Sequence, residues 1–427
     1  MTAALVFPAG AGAELVSKKP GPAALAVGRN GTPYVAHVDG CALHVAHRTA
    51  TGWRDRLAVR CLPFAAGRIE LAGSVVDPRS RVSVLVRDAN GSRIVLVRQG
   101  PAGFRVQPVV RAAARSVLGI PGLALDAAGV PAVAYAVARP SRDTFLRLVR
   151  PDRSGRLKTT AITQKGFPPA SLPPSATPVL VRGRLHVVET YSTEGIEWFR
   201  DGKRWLGQFL FASTRGQGVG PVFSAAAGDS TWTAATLLQP TFGETDVLLT
   251  ERADTETTSI VFSHALVAGL ALADGRPEVA ANESVEIGDG VSTAGLVAEA
   301  DGATVELDGA VAGYAVDNRG SRQLLLSTGR GREWFTSPTR PATRVELTAG
   351  ADGALSGRVA GVVSGTVDIF REQARGARTL VATVPLAADG SFAFRDAPPG
   401  SPTLYRAVYR DPASGIPFAS LLRTPVG

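Results

Sequence analysis

Lysine is nearly missing from this chain: only Lys18, Lys19, Lys158, Lys165 and Lys203 occur in 427 residues. The formal charge of +9 is therefore carried by arginine. These arginines stand singly, without a basic run of five, so nucleic-acid binding is not expected as the main role. No 18-residue stretch is free of charged or turn residues, so no membrane-crossing helix and no membrane insertion are expected. The first twenty residues lack the positive segment of a secretory signal. There is no Gly-rich phosphate loop leading into a helix and no Gly-x-Ser-x-Gly elbow. Cysteine is limited to Cys41 and Cys61.

Turn formers are abundant. The 47 glycines and 29 prolines are spread along the chain, as many short strands joined by tight turns require. Apolar residues reach 45%, enough for packed cores, and 427 residues are too many for a single one.

A unit of about fifty residues recurs. Its first copy reads AALAVGRNG (23–31), TPYVAHVDG (32–40), CALHVAHRTATGW (41–53) and RDRLAVRC (54–61). Later copies place Phe104, Leu157 and Trp205 where the first has Trp53. Each holds about four short alternating strands, the content of a propeller blade. A single four-stranded sheet has two faces to bury, so such units pack face to face around an axis. Further copies span 220–264 and 266–308. The stretch 311–338 holds only three strands, and TAALVFP (2–8) is expected to complete it. The expected fold is all-β, a β-propeller of six or seven blades over 1–338, with seven preferred.

TSPTRPAT (336–343) reads as a linker. Beyond it, seven alternating segments lie at 344–349, 354–361, 366–373, 379–386, 391–397, 403–411 and 418–426, with an Asp389-Gly390 hairpin signal. A small β-sandwich is expected over 339–427.

Ser327-Thr-Gly-Arg-Gly331-Arg-Glu-Trp334 resembles the Asp-box turn of sialidase-like (BNR-repeat) propellers, which reads Ser-x-Asp-x-Gly-x-Thr-Trp. Ser327, Gly331 and Trp334 match, Gly329 replaces the Asp, and Glu333 the Thr. The turns at Thr51-Gly52-Trp53 and Gly103-Phe104 look like relatives. The resemblance implies a structural role, pinning a hairpin and burying the Trp. The segment 389–419 resembles immunoglobulin or fibronectin-type modules that follow propellers in actinobacterial and actinobacteriophage surface proteins.

A retaining sialidase needs an activated Tyr. Glu189 and Tyr191 share one strand face, but the family's Phe/Tyr-Arg-Ile-Pro start is absent, so no catalytic residue is assigned and the pair reads as one half-exposed strand face. The histidines His37, His44, His47, His186 and His264 are not expected to converge. A turn at Asp39-Gly40 would set His37 against Ala42, so no metal ligand and no cofactor are assigned. DANG (88–91) and DAAG (126–129) read as Asp–Gly turns rather than calcium loops. Cys41 and Cys61 flank a hairpin centred near Thr51 and are a disulfide candidate. Trp198, Trp232 and Tyr191 are candidate ligand-contact aromatics.

The functional expectation is a non-catalytic structural or binding protein, a phage minor tail protein at the virion surface, hence extracellular, that contacts the host envelope or other tail proteins. Its expected partners are other tail proteins or a cell-surface glycan, with self-association left open. Two alternatives stand beside it: a secreted sialidase-like glycoside hydrolase or glycan-binding protein, and a cytoplasmic propeller scaffold.

Overall fold

The computed structural model describes residues 13–19, 21–139, 142–163, 174–191, 193–212, 217–238, 245–252, 256–287, 290–299, 304–339, 341–350, 352–372, 378–396 and 404–420. The chain is all-β: every element among the described residues is a strand, and the sheets are small and antiparallel. No helix of the described residues is long and apolar enough to cross a membrane.

Sheets built from the repeat begin with the strands Ala23–Val27, Ile69–Val76, Gly122–Leu125, Ser175–Val181, Gln217–Ala227, Ala265–Ala273 and Ala310–Val316. Each first strand lies against the first strand of the next sheet, and the last lies against Ala23–Val27. Close approach there requires small residues. A Cβ on Gly313 would stand 2.5 Å from the Leu25 Cβ, and one on Gly122 would meet Thr177 Oγ1 at 2.4 Å.

Burial grades outward from these strands. The second strand Val82–Asp88 is buried at every position, because neighbouring sheets cover both of its faces. The outermost strand Gly52–Val59 exposes Arg54, Asp55, Arg56 and Leu57. Hydrophobic clusters accordingly form between sheets. One joins Ala36, Val38 and Val45 of the first to Val76, Val82 and Val84 of the second.

The incomplete last sheet is closed by the chain's other end, with a shift from expectation. Glu14–Ser17 pairs with Gly331–Ser337, setting Glu14 opposite Trp334. The segment 2–8 lies outside the described residues.

Turn chemistry fixes the hairpins. In Asp77–Arg81, Asp126–Val130 and Asp317–Ser321, the Asp Oδ1 accepts from the backbone N–H groups two and four residues on, at 2.9–3.0 Å. The fourth residue of each turn is left-handed: Ser80 (φ 59°), Gly129 (φ 72°) and Gly320 (φ 78°). These aspartates are backbone caps. For Asp77, burial pushes the carboxyl up, but the Arg81 and Arg79 hydrogen bonds outweigh it and hold the pKa low.

The strands of 345–419 form two layers. Val345–Ala349, Ala354–Val359 and Ser391–Arg395 pair in one sheet. Arg378–Pro385, Thr366–Glu372, Leu404–Arg410 and Pro417–Ala419 pair in the other. Leu347, Leu355, Phe392, Ile369, Tyr405 and Ala407 are among the buried residues of their shared core. Phe418 pairs with Leu307, so this second layer continues the sheet of Ala265–Ala273 across eight strands. That pairing covers an otherwise open edge.

Candidate functional site

In an antiparallel four-stranded unit, the first-to-second and third-to-fourth turns open on the same end. Contacts between sheets show that these ends also coincide around the circle. A Cβ on Gly129 would meet Pro78 Cδ at 2.5 Å, one on Gly31 would meet Asp317 Oδ2 at 3.3 Å, and Arg182 pairs with Asp229.

This end is rich in arginine. The first-to-second turns expose Arg29, Arg79, Arg182, Arg184, Arg276 and Arg319. The third-to-fourth turns add exposed Arg153, Arg156, Lys203 and Arg204. Against these cations, the described turns expose only the carboxylates of Asp201, Asp229 and Asp274. The capping aspartates are already engaged by backbone N–H groups. One or two cations per turn, repeated every fifty residues, read as scattered along the sequence but are gathered by the fold.

Two buried carboxylates lie deeper, on opposite faces of the sheet that begins at Ser175. Glu197 is fully buried. It pairs in register with Val188 and faces the next sheet, where Val188 packs with Ala235 and Leu248. Its Oε1 accepts from His186 Nδ1 at 2.5 Å and from Arg252 Nη2 at 3.2 Å, while Arg252 Nε donates to Oε2. Burial pushes this carboxyl up, but those bonds outweigh it and hold the pKa below the usual range.

Glu189 faces the other way. It is fully buried, lies in register with Ala176 and alternates with Val187, both packed against Ala134 and Leu146 of the preceding sheet. Trp198 Nε1 donates to its Oε2 at 3.2 Å, and its Oε1 has no hydrogen-bond partner among the described residues. Desolvation raises its pKa to about 7. The reading of Glu189 on a half-exposed face is therefore corrected. The face is closed by the neighbouring sheet, and the carboxyl does not reach an open surface. Tyr191 ends the same strand opposite Glu194, and its side chain lies outside the described residues.

The histidines also depart from expectation. The hairpin turn is Gly40-Cys41, with Asp39 opposite Ala42, so His37 stands directly across from His44. Their rings stack at 5.1 Å. His37 Nε2 lies 3.3 Å from Asp55 Oδ1, and His44 Nδ1 lies 3.0 Å from Asp55 Oδ2. Desolvation holds the pKa of His37 below the usual imidazole range, even though Asp55 raises it.

The remaining candidates fall as follows. Cys41 and Cys61 are joined as a disulfide with Cα atoms 4.7 Å apart. Trp198 packs beside the cluster between the sheets that hold Ala134 and Val187, and Trp232 beside one with Leu249 and Val279. Both are inter-sheet packing residues rather than open platforms for a sugar. Trp334 is buried, donates to Gln323 Oε1 at 3.0 Å and meets Trp53 edge-on at 5.6 Å. In its turn the hydroxyl donor to the Gly331 carbonyl is Thr328, not Ser327. Gly331 (φ 125°) closes a second-to-third strand turn, whereas Gly52 (φ 122°) and Gly103 (φ 116°) close third-to-fourth turns. The three turns share a backbone shape but not a place in the repeat.

No protein-family model and no curated protein matches this sequence. Similar solved structures are β-propeller proteins. The β-propeller domain of the trilobed protease from Pyrococcus furiosus is 11% identical, with a TM-score of 0.42, covering 77% of this chain and 93% of that one. A polysaccharide lyase of family PL25, an ulvan lyase, is 11% identical with a TM-score of 0.42, covering 61% and 76%. A fucose lectin from Kordia zhangzhouensis is 14% identical with a TM-score of 0.25, covering 33% of this chain and 98% of that one. The expectation of a non-catalytic protein is corrected here, because enzymes, the polysaccharide lyase among them, stand among the similar structures.

Proposed function

We propose that this protein binds an anionic glycan through its arginine-rich end. The observation that carries the reading is the convergence of exposed cations on the first-to-second and third-to-fourth turns, with few exposed carboxylates beside them. Guanidinium groups match carboxylate and sulfate oxygens in paired hydrogen bonds, which suits uronic acids and sulfate esters. Rigid sheets presenting recognition on turns are a common arrangement for binding.

The architecture proposed with it is a propeller of seven blades over 1–338 and an immunoglobulin- or fibronectin-like sandwich over 339–427. Seven first strands in a closed order support the count. Strand orders of 1-2-5 and 4-3-6-7 in the two layers of 345–419 support the sandwich. An experimental structure with another sheet count would overturn this.

Retention on immobilised heparin and polygalacturonate, beside neutral dextran, tests the function. Binding to the charged polymers is expected to weaken steeply with added salt. The triple change Arg182→Gln, Arg184→Gln, Arg204→Gln is expected to lower affinity about tenfold or more, since each charged contact is worth about 1 kcal/mol or more. Equal retention on dextran, or no loss in the triple variant, sinks the reading. Preference for duplex DNA over both polyanions would move the surface to nucleic acid.

An extracellular setting, a virion surface included, belongs to the same proposal. The Cys41–Cys61 bond supports it, since such bonds persist in oxidising compartments. Intact mass of native protein is expected to rise by two hydrogens on reduction. An unchanged mass, with both thiols alkylating beforehand, would remove this support.

A further inference from the structure

We propose that His37, His44 and Asp55 form a binding site for a divalent transition-metal ion, with Zn2+ as the natural occupant. The strands Pro33–Asp39, Ala42–Thr49 and Gly52–Val59 each supply one ligand, so the site is built on three adjacent, hydrogen-bonded strands. His37 and His44 are a directly opposed pair, and Asp55 stands opposite Ala46, on the diagonal from His44. Such neighbours lie within side-chain reach on one face of a sheet.

The geometry suits a small cation. The three ligand atoms all lie within 4.8 Å of one another, and each histidine nitrogen faces a different oxygen of the same carboxylate. Tetrahedral Zn2+ with bonds of about 2.0–2.1 Å sets its ligands roughly 3.3–3.4 Å apart. The two nitrogen–oxygen separations, 3.3 and 3.0 Å, are already close to that. The two imidazoles are borderline donors that favour Zn2+ over the hard ions Ca2+ and Mg2+, and a carboxylate is a common third ligand of Zn2+.

Exposure runs from 8% at the His37 side chain through 24% at His44 to 42% at Asp55. The site therefore opens outward, with Asp55 at the mouth and room for water as a fourth ligand. Charged neighbours limit its strength. Arg332 of the closing sheet also faces His37, although its guanidinium is turned to the Gly21 carbonyl. The Lys19–Asp39 pair lies at the adjacent rim. The bound ion would tie three strands of the first sheet together beside the sheet that closes the circle. This site is independent of the glycan surface.

The test is calorimetric titration of the full chain with ZnCl2 near neutral pH, after chelator treatment, with a thermal melt beside it. Co2+ serves as a spectroscopic substitute. We expect one Zn2+ per chain, a raised Tm, and visible d–d bands of tetrahedral Co2+. Asp55→Asn and His44→Gln are each expected to weaken binding by about tenfold or more, while His264→Gln leaves it unchanged. Asp55 is exposed, so its variant is expected to fold even where a buried change would not. Absence of Zn2+ binding in large molar excess would overturn the proposal, as would binding that survives both variants or is lost in His264→Gln.

Discussion

Glu197→Ala is expected to destabilise the protein by about 3–5 kcal/mol, because it removes the buried acceptor that His186 and Arg252 share. Glu197 is 0% exposed, and the side chains that surround it, His186 and Arg252, are only 12% and 16% exposed. Taking the carboxylate away leaves a guanidinium between two sheets without its counter-charge. It also leaves a hole where Val188 and Ala235 pack. Glu197→Gln keeps the volume and tests the charge alone. The folded carboxyl titrates below the unfolded value of 4.5, so its stabilisation is present above that pH and is lost as pH falls further. Urea titrations from pH 7 down to pH 3 are expected to show wild type losing stability across the acid range and Glu197→Gln losing less. Equal midpoints for Glu197→Ala and wild type at pH 7 would mean that the cluster contributes nothing.

Repeat length, strand content and turn chemistry were legible because each is a local property. The fifty-residue spacing and the Asp-x-x-Gly turns at Asp126 and Asp317 need only neighbouring residues to take effect. Six of the seven segments read beyond residue 343 coincide closely with the strands from Val345–Ala349 to Leu404–Arg410, whereas the seventh, 418–426, overlaps Pro417–Ala419 only at its start and runs from 421 on outside the described residues. What misled was the second face of each sheet. Alternation along Arg184–Tyr191 suggests one wet face, yet Val188 packs on one neighbouring sheet and Val187 on the other. In a circle of sheets both faces are covered, so polar residues such as Glu189 and Glu197 are enclosed rather than solvated.

Register was the other limit. Placing the first hairpin turn one residue too early set His37 against Ala42 and hid the His37–His44 pair. A one-residue slip moves every side chain to the wrong partner. The cysteines illustrate the converse. The turn after Thr49 is Ala50-Thr51, so an unbroken ladder would not oppose residues 41 and 61. The irregularity between Leu43 and His44 shifts the pairing by one, placing Leu43 opposite Val59. Cys41 and Cys61 come together beyond that shift.

Glu189→Gln is expected to stabilise the protein at alkaline pH, the opposite of Glu197→Ala, although both residues are buried glutamates of the same sheet. Among the described residues Glu189 has one donor, Trp198 Nε1, and no cation beside it, so its charged form is poorly solvated. Its folded pKa stands near 7 against an unfolded value of 4.5. Below pH 4.5 both states hold the proton and no penalty arises. Between 4.5 and 7 the unfolded chain ionises while the folded chain does not, so stability falls as pH rises. Above pH 7 the folded carboxyl ionises too, and the loss levels off. At ~1.4 kcal/mol per pH unit the whole loss is about 3 kcal/mol. Glutamine keeps an oxygen for the Trp198 indole and carries no charge at any pH. Urea denaturation at pH 5 and pH 8 is the check. Wild type is expected to lose stability between them, after allowance for the slope shared with the variant, and Glu189→Gln is expected to gain about 3 kcal/mol over wild type at pH 8. A variant less stable than wild type at pH 8 would mean that the Glu189 carboxylate has a partner strong enough to hold its charge.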